Sequence, residues 1–133
     1  MAKKRFLNPK TMAPPPGYTY VVETTGPGRT VYIAGQLGLD IDNKLVGGPG
    51  DFGAQCERAF ENLGHALAAV GATFADVVKI GTYLTTLYDL AGMREVRSQY
   101  LTSEPPASTA VQVMALVVPD ALIEIDLVAV VPA

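Results

Sequence analysis

Two carboxylates, Glu124 and Asp126, stand two residues apart in the alternating run Leu122-Ile123-Glu124-Ile125-Asp126-Leu127-Val128-Ala129-Val130. Acids so placed suit general acid/base work, in which a carboxylate takes a proton from water and returns it to a leaving group. In an extended strand, residues two apart point the same way. Both acids therefore share one face, and Ile123, Ile125, Leu127 and Ala129 share the other. The preceding run, Pro105-Pro106-Ala107-Ser108-Thr109-Ala110-Val111-Gln112-Val113, also alternates and leads through Pro119-Asp120 into the first. The two runs are expected to form a hairpin, with Ser108, Ala110 and Gln112 on the acids' face and Val111 and Val113 on the apolar side. An ordinary solvated sheet face has the same pattern, so the alternation marks a place for a site without proving one.

Glu124 is the best single candidate for proton transfer, because a carboxylate beside an apolar subunit contact holds its proton more readily than one in water. Arg94 and Arg97, three apart on an expected helix, share a side of it and could hold an anion, although most such pairs are simply solvated. Other chemistry is poorly served. The single cysteine, Cys56, excludes an internal disulfide, and with the single histidine, His65, it leaves no His/Cys cluster for zinc. Cys56 falls on an apolar helical stripe and reads as a packed thiol. His65 lies off that stripe and reads as a surface residue. Neither Ser103 nor Ser108 has a histidine-centred relay. The segment Gly48-Pro49-Gly50-Asp51-Phe52-Gly53 has the spacing of a dinucleotide loop. Pro49, however, removes an amide that would meet pyrophosphate, and Asp51 would repel it. A glycine-rich turn into a helix capped by Asp51 is the better reading.

The elements that must carry these residues can be read from punctuation and periodicity. A proline-rich entry at 13–17 precedes an extended stretch at 18–23, a turn at 26–28 and a buried strand at 30–34 that ends at Gly35-Gln36. After an excursion at 37–46, Asp51 opens a helix with the stripe Cys56, Ala59, Phe60, Leu63, Ala66, Leu67 and Val70, and Gly71 closes it. Gln55, Glu57, Arg58, Glu61, Asn62 and His65 lie off the stripe. A strand at 77–84 and a second helix at about 89–101 follow, the latter burying Leu90, Met93, Val96, the stem of Arg97, and Tyr100. The order strands, helix, strand, helix, strands implies an α+β layer with two helices on one face of one sheet.

The chain has 133 residues, enough for one domain with its own core. At 49% apolar residues it is rich for its size, which points to surface buried against other subunits. Its net charge of -3 and lack of Trp argue against nucleic acid as a partner. The basic N-terminus lacks the apolar core of a signal peptide, and Pro119, Asp120, Glu124 and Asp126 interrupt the apolar C-terminal tail. A cytoplasmic protein without a membrane partner is expected.

Several blocks, in order, resemble one family. They are Ile33-Ala34-Gly35-Gln36; Ala59-Phe60-Glu61-Asn62-Leu63 with Val70-Gly71-Ala72 and Val77-Val78-Lys79; Tyr88-Asp89-Leu90 through Arg94-Glu95-Val96 to Tyr100-Leu101; and Pro106-Ala107 with Val111-Gln112-Val113 and 122–130. Together they resemble the Rid family (RidA/YjgF, also called endoribonuclease L-PSP) from about Leu7 onward. The resemblance implies a chorismate-mutase-like α+β fold, assembled as a homotrimer with small-molecule clefts between subunits and no metal or cofactor. It also implies hydrolysis of imines and enamines to 2-oxo acids and ammonia. Carried over by position, the glutamate that handles water and protons falls on Glu124 and the cleft tyrosine on Tyr20. The glycine of the S-G-Q strand end falls on Gly35, and the small residue whose amide meets the substrate carboxylate falls on Ala110.

The arginine that clamps that carboxylate in the family has no counterpart, since its position is Ser108 here. The family's asparagine in the second helix is replaced by Arg94. A lost guanidinium–carboxylate pair costs about 2–5 kcal/mol, enough to remove useful affinity for a 2-imino acid. Two readings follow. One is a divergent hydrolase of small imines, enamines or related metabolites, with Arg94 as the replacement cation. The other is a non-catalytic trimer of the same fold that binds a small molecule. A ribonuclease would need basic surface and a histidine pair that the chain does not have.

Overall fold

Asp51 starts the first helix as the sequence predicts. In the computed structural model, which describes residues 2–133, its Oδ1 accepts the Ala54 amide at 3.1 Å and opens α1 (Phe52–Ala68). Gly48 and Gly50 before it take positive φ of 73° and 83°, which an L side chain would resist, so the glycine-rich segment is a turn. The stripe Cys56, Ala59, Phe60, Leu63 and Leu67 is buried. Each of its large members contributes roughly 1.5–3 kcal/mol by leaving water. Gln55 is also fully buried, contrary to its expected place off the stripe, because its amide bonds backbone groups of two loops, the Gly48 carbonyl before α1 and the Asp120 carbonyl and Leu122 amide before the last strand.

The helix packs on a four-stranded sheet made of β3 (Gly28–Leu37), β4 (Val77–Leu84), β5 (Ala107–Gln112) and β6 (Ile123–Pro132). The spatial order is β3-β6-β4-β5. The inner face carries Ile80, Leu84, Ile123, Ile125 and Leu127, all buried against the helices. The second helix, α2 (Leu90–Tyr100), joins α1 through stacked rings of Phe60 and Tyr100, 5.0 Å apart and 13° from parallel. The Tyr100 hydroxyl donates to the Glu57 carboxylate, and burial followed by that bond raises its pKa well above the usual phenol value. Two further strands, β1 (Lys3–Leu7) and β2 (Val21–Thr25), pair antiparallel as a separate ribbon. The basic segment at β1 shows no clear alternation, so nothing in its side chains announced a strand.

The hairpin expected of the last two strands does not form. β4 lies between them, parallel to β5 and antiparallel to β6. The parity of the faces is thereby reversed. Ser108 and Ala110 stand opposite Ile80 and Thr82, and Thr82 stands opposite Ile125, so both small residues share the helix-covered face. Glu124 and Asp126 stand opposite Tyr83 and Gly81 on the other, open face. Alternation assigns residues to two faces but cannot say which strand lies beside which; the pairing partner sets that. The strand expected to be buried at 30–34 is likewise only half so, because one face of the sheet has no layer over it: Ile33 points to the helices and is buried, while Tyr32 points to the open face and is 78% exposed.

Candidate active site

The candidate residues fall into two groups, one on each face of the sheet. On the helix-covered side, α2, the start of β5 and the 16–18 segment enclose a two-lobed hollow. One lobe, of about 270 Å³, is walled by Ile80, Leu101, Pro105 and Pro106. The other, of about 370 Å³, opens past Leu90, Met93 and Ala110. Tyr18, Arg94, Arg97 and Ser108 line both. Buried Thr19 holds the tyrosine there: its hydroxyl donates to the Pro105 carbonyl at 2.5 Å and its amide to the Pro106 carbonyl at 3.2 Å.

Arg94 and Arg97 project from adjacent turns of α2, as their spacing requires. Arg97 is half-buried, and its Nη1 donates to Ser108 Oγ in a long hydrogen bond of 3.5 Å. Desolvation, and then the like charge of Arg94, lower its pKa from the ordinary guanidinium value. Among the described residues the ion pairs are Lys4–Asp76, Arg5–Glu23 and Arg58–Glu61; neither Arg94 nor Arg97 has a carboxylate partner. No acid lines either lobe. Two cations thus face a cavity without a counter-ion, a site that can take an anion.

On the open face, half-buried Glu124 lies against Gly35. A β-bulge between Ile33 and Gln36 brings Gly35 over the acid so closely that a Cβ there would overlap the carboxylate, with Glu124 Cδ only 2.8 Å away. The end of β3 is held from α1: Asn62 Nδ2 donates to the Leu37 and Leu39 carbonyls, both at 3.0 Å, and Arg58 Nε donates to Leu39 at 3.0 Å. The Tyr83 hydroxyl donates to Asp126 Oδ2 at 3.0 Å, and this bond, with the charge of Asp126, raises the pKa of the phenol. Lys79 Nζ reaches Thr109 Oγ1 at 3.0 Å on the same face. The open face also leaves Tyr32 and Val111 exposed, and the loop that follows β5 exposes Met114 and Val117.

Of the residues singled out from sequence, Arg94, Ser108 and Ala110 line the hollow, and Gly35 touches Glu124. Tyr20 joins neither group: its hydroxyl donates to the Ala13 carbonyl at 2.6 Å, and the tyrosine in the hollow is Tyr18. The two aromatics stack edge-to-face, 5.8 Å apart, and stand two residues apart, so position alone left their roles open. The sequence places the stem of Arg97 on the helix stripe, and its spacing puts it on one side with Arg94; that its head reaches Ser108 is seen only in the folded protein. Cys56 is fully buried, and burial pushes its thiol up to about 12, the behaviour of a packed residue. His65 is exposed, beside a polar hollow lined also by Gly35, Asp40, Arg58 and Asn62. Among the described residues no group of three or more His, Cys, Asp and Glu is placed to hold a metal, and no helix is long and apolar enough to cross a membrane.

Comparison with known proteins adds the family. Residues 10–131 match the family described as Endoribonuclease L-PSP. The chain is 40% identical to Protein DfrA of Myxococcus xanthus over 98% of its own length and 97% of the relative's. It is 39% identical to 3-aminoacrylate deaminase RutC of Acinetobacter baylyi, covering 87% of this chain and 90% of that one. A crystal structure of YyfB from Yersinia pestis, a protein of unknown function in the conserved Rid protein family, superposes with a TM-score of 0.84 at 37% identity, covering 95% and 97% of the two chains. The α+β arrangement, one mainly antiparallel sheet under two helices, is the chorismate-mutase-like fold of that group. The chain belongs to the Rid family, also known as the endoribonuclease L-PSP family.

Proposed function

We propose that this protein hydrolyses small imines or enamines, releasing ammonia, in clefts between the subunits of a homotrimer. What carries the reading is the division of the site: Gly35 and Glu124 on the open face, and Tyr18, Arg94, Arg97, Ser108 and Ala110 on the covered one. One protomer cannot bring both groups to the same small molecule. A neighbour whose open face packs beside the hollow can, and the exposed Tyr32, Val111, Met114 and Val117 offer apolar surface for that contact. Relatives named as deaminases support the reaction class.

The chemistry is undemanding. An imine carbon is already electrophilic, so holding water against it and moving protons is sufficient. Glu124 takes a proton from water as its oxygen bonds to the carbon, and the C=N electrons move to nitrogen. The proton then returns to nitrogen to give a carbinolamine; the remaining hydroxyl proton passes through Glu124 to the amine as the C–N bond breaks, so that a carbonyl and ammonia leave. An enamine is first protonated on carbon. The sum is imine plus water giving carbonyl plus ammonia, balanced without a metal, an electron carrier or a cofactor. The substrate carboxylate meets the arginines of α2 in place of a strand arginine, because position 108 is a serine with Arg97 drawn to it.

The reading is tested by generating imines in place with an amino acid oxidase and following ammonia release. The protein should accelerate it, and Glu124→Gln should abolish the acceleration in a folded oligomer. No acceleration with any imine, or the same rate in Glu124→Gln, would leave the non-catalytic binding trimer as the better description.

A further inference from the structure

We propose that the arginine pair of α2 selects substrates with two acidic groups, an imine or enamine of a dicarboxylic acid, over single-acid substrates. This rests on the hydrolase reading above and narrows it. Arg94 and Arg97 face one hollow and have no carboxylate partner among the described residues. A substrate with a single carboxylate would neutralise one of them and leave the other beside it. A second acid completes the pairing and relieves the repulsion between the two guanidinium groups.

The shape of the hollow agrees. Its two lobes share Arg94, Arg97, Tyr18 and Ser108, so a chain lying across them keeps both ends near a cation. Ser108 supplies a neutral oxygen that draws Arg97 toward the strand, which leaves Arg94, the more exposed of the two, for the outer acid. The three carbons between the acids of a glutamate-derived imine would run along the apolar wall of Ile80, Leu101 and Pro106. The reaction is unchanged: water adds to the carbon, ammonia leaves, and the second acid takes no part except in binding.

The test compares imines made in place from glutamate and from norvaline, which differ at the far end by a carboxylate against a methyl group. The dicarboxylate should show a kcat/KM higher by about tenfold or more, mainly through KM. Arg97→Met should remove that preference, and Arg97→Lys should restore part of it. Calorimetric titration with the stable products 2-oxoglutarate and 2-oxopentanoate gives a second readout independent of turnover. Tighter binding of 2-oxoglutarate, lost in Arg97→Met, supports the two-acid site even if no imine is hydrolysed. Turnover of both imines at equal kcat/KM, or equal binding of both acids, overturns the inference while leaving the hydrolase reading intact.

Discussion

Gly35 leaves room for Glu124: the strand bulge presses the backbone at 35 so near the acid that any side chain there would collide with the carboxylate. Its φ is not in the left-handed region, so the need for glycine at this position comes from contact alone. Gly35→Ala is therefore expected to fold and to push the carboxylate aside. A displacement of about 1 Å at a catalytic group costs on the order of 100-fold in rate. The check is kcat for imine hydrolysis beside an unchanged thermal midpoint.

Gln55 fastens the approach to β6. Its Nε2 donates to the carbonyls of Gly48, at 3.3 Å, and Asp120, at 3.2 Å, and its Oε1 accepts the Leu122 amide at 2.8 Å, two residues before Glu124. Gln55→Leu fits the space but strands three backbone groups. A loss of about 2–4 kcal/mol of stability is expected, measured by urea unfolding, with a fall in activity as the start of β6 loosens.

The two tyrosines should separate cleanly. Tyr18 lines the hollow, whereas the Tyr20 hydroxyl is tied to Ala13. Tyr18→Phe should raise KM for the imine by about tenfold. Tyr20→Phe should cost about 1 kcal/mol of stability with little change in KM. Kinetics and unfolding on both variants decide it, and the reverse pattern would return Tyr20 to the site.

Cys56 gives a pH signature. Burial raises its thiol from 9.0 in the open chain to about 12 in the folded protein. The folded state therefore holds this proton more tightly than the unfolded state. The contribution is complete below pH 9.0 and is lost as the pH rises from there toward about 12. Unfolding free energy should fall across that window, and Cys56→Ala should flatten the fall. At neutral pH a thiol reagent should label Cys56 only after denaturation.

Much of this is legible in the sequence. The stripe of α1, its Asp51 cap, the strand at 77–84 and the two-helix α+β layer follow from period and punctuation, which are local. The arrangement of the last two runs was not legible, because the insertion of β4 between β5 and β6 is a long-range choice that alternation does not encode. That one exchange moved Ser108 and Ala110 away from Glu124. The burial of Gln55 escaped for a similar reason: a polar residue on a helix reads as solvated until the loops it serves are seen. Arg97 stood in the stripe by its stem, and only packing shows its head at Ser108.

The central claim, that each site joins the open face of one subunit to the hollow of the next, is tested most directly by mixing defects. A Glu124→Gln protomer and an Arg94→Met/Arg97→Met protomer, differently tagged and co-expressed, are captured as mixed trimers through both tags. Around a closed ring of three, one junction in each mixed trimer pairs an intact hollow with an intact Glu124. About one third of wild-type activity should return, although each parent alone is inactive. Mixed trimers no more active than their parents, or an active monomer, would contradict the account.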